Sequence, residues 1–527
     1  MARILSAKKV TLWASVVVFA LIAVLPLGFM VAESLADSKN YTETLGSARI
    51  WSLFGRTLLL AFLTTMMAGL LGVGLGLGFA KTDLPMRSAL TALFSLPLLF
   101  PPYFLAVGWF AVLGRGGLLT LCCGTAAGEM GSRLLFGWPG VILVLSTAFM
   151  PVVLLLTMAG LRAVSPNLEQ AALLSTGWPV VLRSVTIPLA SSSILLSFVL
   201  VFLLTMGEFG VPAFLRFDVF AVASFTQFTA FYNYGAATAA AMPLVLIATL
   251  GLWVERRVLC GKTFWFGWGS PQINEISLTR MRGPVTAIVS VAALILVVVP
   301  LGAVLWRGLD PSTLKLALAW AGDSALRSVV YSAVSATVVS VVAFFLAYLI
   351  HRRAVAAWRW VDALSMFLFT LPGTVTGVGL IGLWNRPMTN WIYATPAILV
   401  AGYFAQYGAV ATRAMAAGLS QVSIALEEAA ELAGAGWGSR VTNILLPLLR
   451  PSIVAGWTVT FLFCMRDLSL SILLAPAGYD TLTARTMTLM ANGSEELIAS
   501  LCLLLMSLAA IPLGVAAVSS RFWSKAK

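Results

Sequence analysis

Residues 428–447 read EAAELAGAGWGSRVTNILLP, and residues 169–188, EQAALLSTGWPVVLRSVTIP, repeat that pattern 259 positions earlier. Gly177 and Trp178 fall on Gly436 and Trp437, and Pro188 falls on Pro447. Just upstream, Leu161, Val164, Ser165 and Leu168 match Leu419, Val422, Ser423 and Leu426 at a spacing of 258, so one residue has been gained or lost within the stretch. A similarity held at nearly constant spacing marks duplication of a whole unit. Other landmarks follow in order, with Arg56 matching Arg327 and Leu96–Pro97 matching Leu371–Pro372.

The composition says what the unit is made of. Of 527 residues, 60% are hydrophobic and only 10% charged, with a mean hydropathy of +0.97, which excludes a soluble domain. Uncharged runs about as long as a bilayer is thick lie at about 10–30, 57–80, 89–113, 138–161, 188–207 and 236–254. A second set follows at about 284–306, 328–350, 363–384, 393–412, 453–474 and 497–520. The sequence therefore predicts an all-α polytopic membrane protein with about twelve transmembrane helices in two six-helix repeats. The first run is read as an uncleaved span, because it exceeds a signal-peptide core and no clear small-x-small cleavage site follows it. Alternating Gly72, Gly74, Gly76 and Gly78 in the second span are read as a close-packing surface.

An even number of spans per repeat gives both repeats one orientation, with a pathway expected between them. The expected units are 1–260 and 284–527, joined by a polar, basic linker at 261–283; Arg256 and Arg257 precede it, and Lys262, Arg280 and Arg282 lie within it. Twelve spans put both termini on one side. With that side inside, the inner segments hold 21 Lys+Arg and 8 Asp+Glu and the outer segments 12 of each, so the inner face carries the whole net charge of +13. This is the positive-inside pattern, and it needs no nucleic-acid partner.

Each repeated stretch joins the fourth and fifth spans of its half. In the second copy, 425–433 is rich in strong helix formers, and Gly434-Ala435-Gly436 supplies a break, so a short helix–turn–helix along the membrane surface is expected. Here the sequence resembles a known family. E-A-A, three residues, G, nine residues, I-x-L-P is the signature of the inner-membrane permease subunits of bacterial ABC importers. Glu428, Ala429, Ala430, Gly434, Ile444, Leu446 and Pro447 fill every position, with Glu427 just before them. The first copy is degenerate: it keeps Glu169, Ala171, Ala172, Gly177, Ile187 and Pro188 and has Ser175 or Thr176 in place of the first glycine.

The resemblance implies that both loops dock on a cytoplasmic ABC ATPase, expected as a dimer, and that a periplasmic binding protein delivers the substrate. It places the chain in the bacterial inner membrane with both termini cytoplasmic. No GxxxxGK[ST] occurs, so the chain is expected to be a transport subunit without enzymatic activity, needing no cofactor of its own and using ATP through its partner. The chain looks most like the fused two-domain permeases of ferric iron uptake, partly through RDLSLSILLAPAGYDTL at 466–482. Thiamine and aminoethylphosphonate systems have similar permeases. An ion-coupled secondary transporter is the alternative class.

Charges inside spans invite a functional reading. Glu208 and Asp467 are spaced 259 apart, each about twenty residues beyond its repeat's proline, and a pseudo-twofold axis would set them opposite one another. With Arg466 they are the candidate pathway residues; an interfacial ion pair is the plainer alternative. His351 opens a basic flank with Arg352 and Arg353. Cys122, Cys123, Cys260, Cys464 and Cys502 have no metal-ligand spacing, so no metal site is expected.

Overall fold

The computed structural model describes residues 2–36, 46–231, 234–259, 274–490 and 493–525. Within them the chain is α-helical, and the one β contact is an isolated parallel bridge between Thr82 and Ile276. Cys260, Lys262 and the rest of the linker up to residue 273 lie outside the described residues.

Among the described residues nine helices are long and apolar enough to cross a membrane, and up to eleven if each of two bent helix pairs is one span. The run expected at 236–254 lies wholly within one continuous helix of 26 residues, Tyr234–Leu259. Two of the expected runs are broken by a turn, at 363–384 and 89–113. The run at 363–384 is two helices, Trp358–Thr370 and Gly373–Trp384, meeting at 110°. The run at 89–113 is likewise interrupted, as Arg87–Ser95, a tight turn Leu96–Leu99 and Pro102–Leu113.

Proline sets both breaks. Pro101 (φ −57°, ψ 141°) and Pro372 (φ −56°, ψ 134°) are extended and each stands immediately before its second helix. The residues before them, Phe100 and Leu371, are extended too, as crowding by the proline ring requires. Pro101, not Pro97, is thus the counterpart of Pro372. Their spacing of 271 equals that of Arg56 and Arg327. Pro97 sits near the start of the Leu96–Leu99 turn, where a missing N–H does little harm.

Four other prolines are accommodated by widening the helix. The turns Ala20–Val24, Leu182–Thr186, Leu294–Val298 and Val441–Leu445 are π-helical, closed by bonds such as Leu446 N–H to the Val441 carbonyl. Each lies just before Pro26, Pro188, Pro300 or Pro447. A proline ring would clash with the carbonyl four residues back, and an i→i+5 turn moves that carbonyl away. The proline that ends each repeated stretch therefore marks a π-bulge at the base of the fifth or eleventh span.

Close approach of helices uses glycine at matched places. A Cβ on Gly160 would lie 2.6 Å from the Ser193 Cβ, and one on Gly418 would lie 2.6 Å from the Ser452 Cβ. Of the four alternating glycines, Gly72 and Gly76 face Val153 and Thr157, whereas a Cβ on Gly74 would meet open space. The packing face is thus an i, i+4 stripe.

The first span of each half packs on the other half. Leu12, Phe19 and Ala23 are buried with Val339, Ala343, Phe404 and Met415. Reciprocally, Ala293, Val297, Leu301 and Val304 join the core built by Phe104, Val144, Phe149 and Leu154.

Candidate coupling loops and central cavity

In the second repeated stretch the helix Ile424–Leu432 starts at Ser423, whose hydroxyl accepts the Ala425 N–H at 3.3 Å. It ends in a Schellman turn. Gly434, at φ +84°, gives its N–H to the Glu431 carbonyl at 3.0 Å, and Ala435 N–H reaches the Ala430 carbonyl at 2.9 Å. Gly436 (φ −67°, ψ 164°) then precedes the short helix Trp437–Arg440, and Ile444, Leu446 and Pro447 lie in and just after the π-turn.

Glu427 and Glu428, adjacent on this helix, face opposite ways. Glu427 is buried. Arg352, at the end of the eighth span, gives its Oε1 bonds of 2.7 Å from Nη2 and 3.0 Å from Nε, and the Tyr348 hydroxyl donates to Oε2 at 2.8 Å. Arg352 also donates to the Val422 carbonyl at 3.0 Å. Trp437 packs edge-on against Tyr348, and Lys8 lies 5.0 Å and 5.3 Å from the centres of these two rings. Glu428 and Ala429 are exposed, and Ala430 is half-buried.

The first stretch repeats the arrangement with different side chains. Its helix is Pro166–Leu173. Glu169 is fully buried and accepts from Lys81 Nζ at 2.7 Å and from the Thr186 hydroxyl at 2.8 Å. Lys81 ends the second span as Arg352 ends the eighth, and the spacing is again 271. Glu169 therefore corresponds in place to Glu427, not to Glu428. Gln170 takes the exposed position of Glu428, Ala171 and Ala172 those of Ala429 and Ala430, and Thr176 that of Gly434. The extra residue of the second copy is Ala435, inside its Schellman turn. The first loop closes otherwise: the Ser175 and Thr176 hydroxyls donate to the Ala172 carbonyl at 3.1 Å and 3.0 Å. Gly177 is extended and exposed, and Ile187 and Pro188 begin the fifth-span helix.

The linker end crosses this first loop. Asn274 donates to the Pro166 carbonyl at 2.8 Å and accepts from Gln170 at 3.0 Å. Ile276 pairs with the backbone of Lys81 and Asp83, and Glu275 forms a 2.6 Å ion pair with Arg87. The sequence pattern singles out neither Lys81, Tyr348 nor Asn274, and Arg352 only as part of a basic flank; the available signal was a basic residue ending the second span of each half at the 271 spacing.

The candidate pathway residues come together. A cavity of about 90 Å³ is lined from the first half by Pro101, Tyr103, Gly207 and Glu208, and from the second by Pro372, Gln406, Arg466 and Asp467. Both broken spans and the ends of the fifth and eleventh spans meet there. The two carboxylates also cap short helices. Glu208 Oε1 accepts the Gly210 N–H at 3.0 Å, ahead of Gly210–Phe214. Asp467 Oδ1 accepts the Leu470 and Ser471 N–H groups at 2.8 Å and 3.1 Å, ahead of Ser469–Leu474, and Oδ2 accepts the Tyr407 hydroxyl at 2.6 Å. Arg466 donates to the Leu98 carbonyl of the other half and lies 4.7 Å from the Phe463 ring centre.

The remaining polar candidates fall elsewhere. His351 is at the end of the eighth span; Cys122 and Cys123 are exposed, and Cys464 and Cys502 are buried.

Residues 340–524 match the family described as binding-protein-dependent transport system inner membrane component. A putative ferric transport system permease protein of Haemophilus influenzae is 24% identical over 434 residues, covering 78% of this chain and 68% of its own. The ferric transport system permease protein of Actinobacillus pleuropneumoniae is 23% identical over 502 residues, 90% of this chain and 72% of its own. The sulfate transport system permease protein CysT of Escherichia coli is 24% identical over 256 residues, which are 47% of this chain but 90% of that one. Residues 340–524 thus match a binding-protein-dependent inner-membrane transport component, and most of the chain is similar to ferric transport permease proteins.

Proposed function

We propose that this chain supplies both membrane halves, 1–260 and 284–527, of an importer for ferric iron, with both termini cytoplasmic. Its two loops dock on a separate cytoplasmic ATPase dimer, which hydrolyses the ATP. A periplasmic binding protein delivers cargo to the outer face, and the halves pass it inward by alternating access. The observation that carries this reading is the cavity shared by Glu208 and Asp467 between two broken spans, one from each half. Broken helices at such a place present unwound backbone and helix ends to a passing ion, and Glu208 and Asp467 add two carboxylates to the lining. The names of two relatives that match most of the chain favour ferric iron over other cargo.

An oxyanion is the second reading. Arg466 lines the same cavity, and relatives named for sulfate and 2-aminoethylphosphonate transport are 24% and 22% identical over 47% and 40% of this chain. One experiment separates the two: the complex with its ATPase is reconstituted in vesicles and given the binding protein encoded beside it. Iron-loaded binding protein is expected to stimulate ATP hydrolysis and drive iron uptake. Stimulation by sulfate or a phosphonate, with none by iron, rejects the ferric assignment; uptake that ignores ATP and collapses with the proton gradient rejects the importer reading.

A further inference from the structure

Two buried ion pairs occupy equivalent places, Lys81–Glu169 and Arg352–Glu427, each joining a loop helix to the inner end of the second span of its half. We propose that these pairs are the joints through which movement of a loop reaches the spans, and that Glu169, Glu427, Lys81 and Arg352 are positioning residues for transport. The inference rests on the importer reading above.

Three features support it. First, a buried ion pair gains little over well-packed apolar side chains, so holding the fold together does not account for placing one at this joint twice. What an ion pair adds is direction, and Arg352 grips one oxygen through two nitrogens while holding the Val422 carbonyl at the helix start. Second, the anchored and exposed positions are adjacent. Glu427 is fixed inward and Glu428 points outward, as are Glu169 and Gln170, so force on the exposed face reaches the anchor through one residue of helix. Third, Glu169 also accepts from Thr186, within the π-turn at the base of the fifth span. That joint ties the loop, the second span and the fifth span at one carboxylate.

The test uses the intact permease with its ATPase and binding protein, and reads cargo taken up per ATP hydrolysed. Glu427→Gln keeps the shape and removes the charge; Arg352→Lys keeps the charge and loses the fork. The expected result is normal insertion, basal ATP hydrolysis within twofold of wild type, and uptake per ATP lowered at least fivefold in Glu427→Gln and by less in Arg352→Lys. The exchange Arg352→Glu with Glu427→Arg is expected to recover part of the loss, which a merely structural defect would not do. Wild-type uptake per ATP in both single variants overturns the proposal. If Glu427→Gln fails to insert, Arg352→Lys alone decides, by the same ratio. Hydrogen exchange of the 424–434 amides in the permease alone is expected to quicken in Glu427→Gln; unchanged exchange overturns the joint whether or not the ATP-driven reading stands.

Discussion

Gly434 offers a graded test of the second loop. Its φ is +84°, and a Cβ built there meets no atom within 4 Å. Substitution by alanine therefore adds no clash, and its cost is that of holding an L-residue in the left-handed region, about 1–2 kcal/mol. That corresponds to roughly a 5–30-fold shift toward a frayed Schellman turn. Asparagine tolerates the conformation better and is expected to cost less. Proline costs more, about 3 kcal/mol or above, because it demands φ near −65° and removes the N–H that bonds the Glu431 carbonyl. Gly436 is the control: its φ is −67° and its surroundings are open, so Gly436→Ala leaves the loop intact. ATP-driven uptake in vesicles, with hydrolysis measured in parallel, is expected to rank Gly436→Ala with wild type, followed by Gly434→Asn, Gly434→Ala and Gly434→Pro. If Gly434→Ala matches Gly436→Ala, or Gly434→Asn is worse than Gly434→Ala, the backbone argument is wrong.

Overpacking the helix crossings with Gly160→Ala or Gly418→Ala is expected to cost about 1–3 kcal/mol. Thermal unfolding in detergent should show it, with Ser193→Gly or Ser452→Gly restoring stability to the matching variant. Thr57 accepts the Phe220 N–H at 2.8 Å and Ser328 the Leu482 N–H at 2.7 Å. Thr57→Val and Ser328→Ala strand these buried donors at about 1–3 kcal/mol each, read as faster exchange of those two amides. Glu208→Gln keeps an oxygen for the Gly210 N–H but removes the charge, so unfolding temperature should hold while iron uptake falls. Unchanged uptake would assign Glu208 to helix capping alone.

The duplication and the loops were legible because they are local patterns: a helix former run, a glycine break and a proline recur at almost fixed spacing. The membrane runs were legible as composition, but their continuity was not. In LPLLFPP, at 96–102, three prolines compete to set the break, and only backbone geometry shows that Pro97 is absorbed in a turn while Pro101 ends the helix. The joints were hidden for another reason. Lys81 and Glu169 are 88 residues apart, and no periodicity within either helix reveals such a partner. The register of the first loop was blurred by the two adjacent polar residues Glu169 and Gln170; the 258 spacing of Leu161 to Leu168 already favoured pairing Glu169 with Glu427.

What the two halves share and where they differ follows a rule. The devices that set backbone direction are duplicated: the proline breaks at Pro101 and Pro372, the π-turns before Pro188 and Pro447, the Gly–Ser crossings and the hydroxyls that cap Phe220 and Leu482. The exposed positions have diverged, with Gln170 opposite Glu428 and Thr176 opposite Gly434. The joints lie between these extremes, keeping charge but exchanging a single-point lysine for a forked arginine. Asn274 further bridges Gln170 and the Pro166 carbonyl, so the first loop has part of its outer face taken by its own linker. If the proposed ATPase partner is a dimer of identical subunits, two loops with unlike surfaces cannot present the same contact to both. The second loop, with Glu428 uncovered on a tightly closed helix, is therefore the one whose loss should slow coupled transport more.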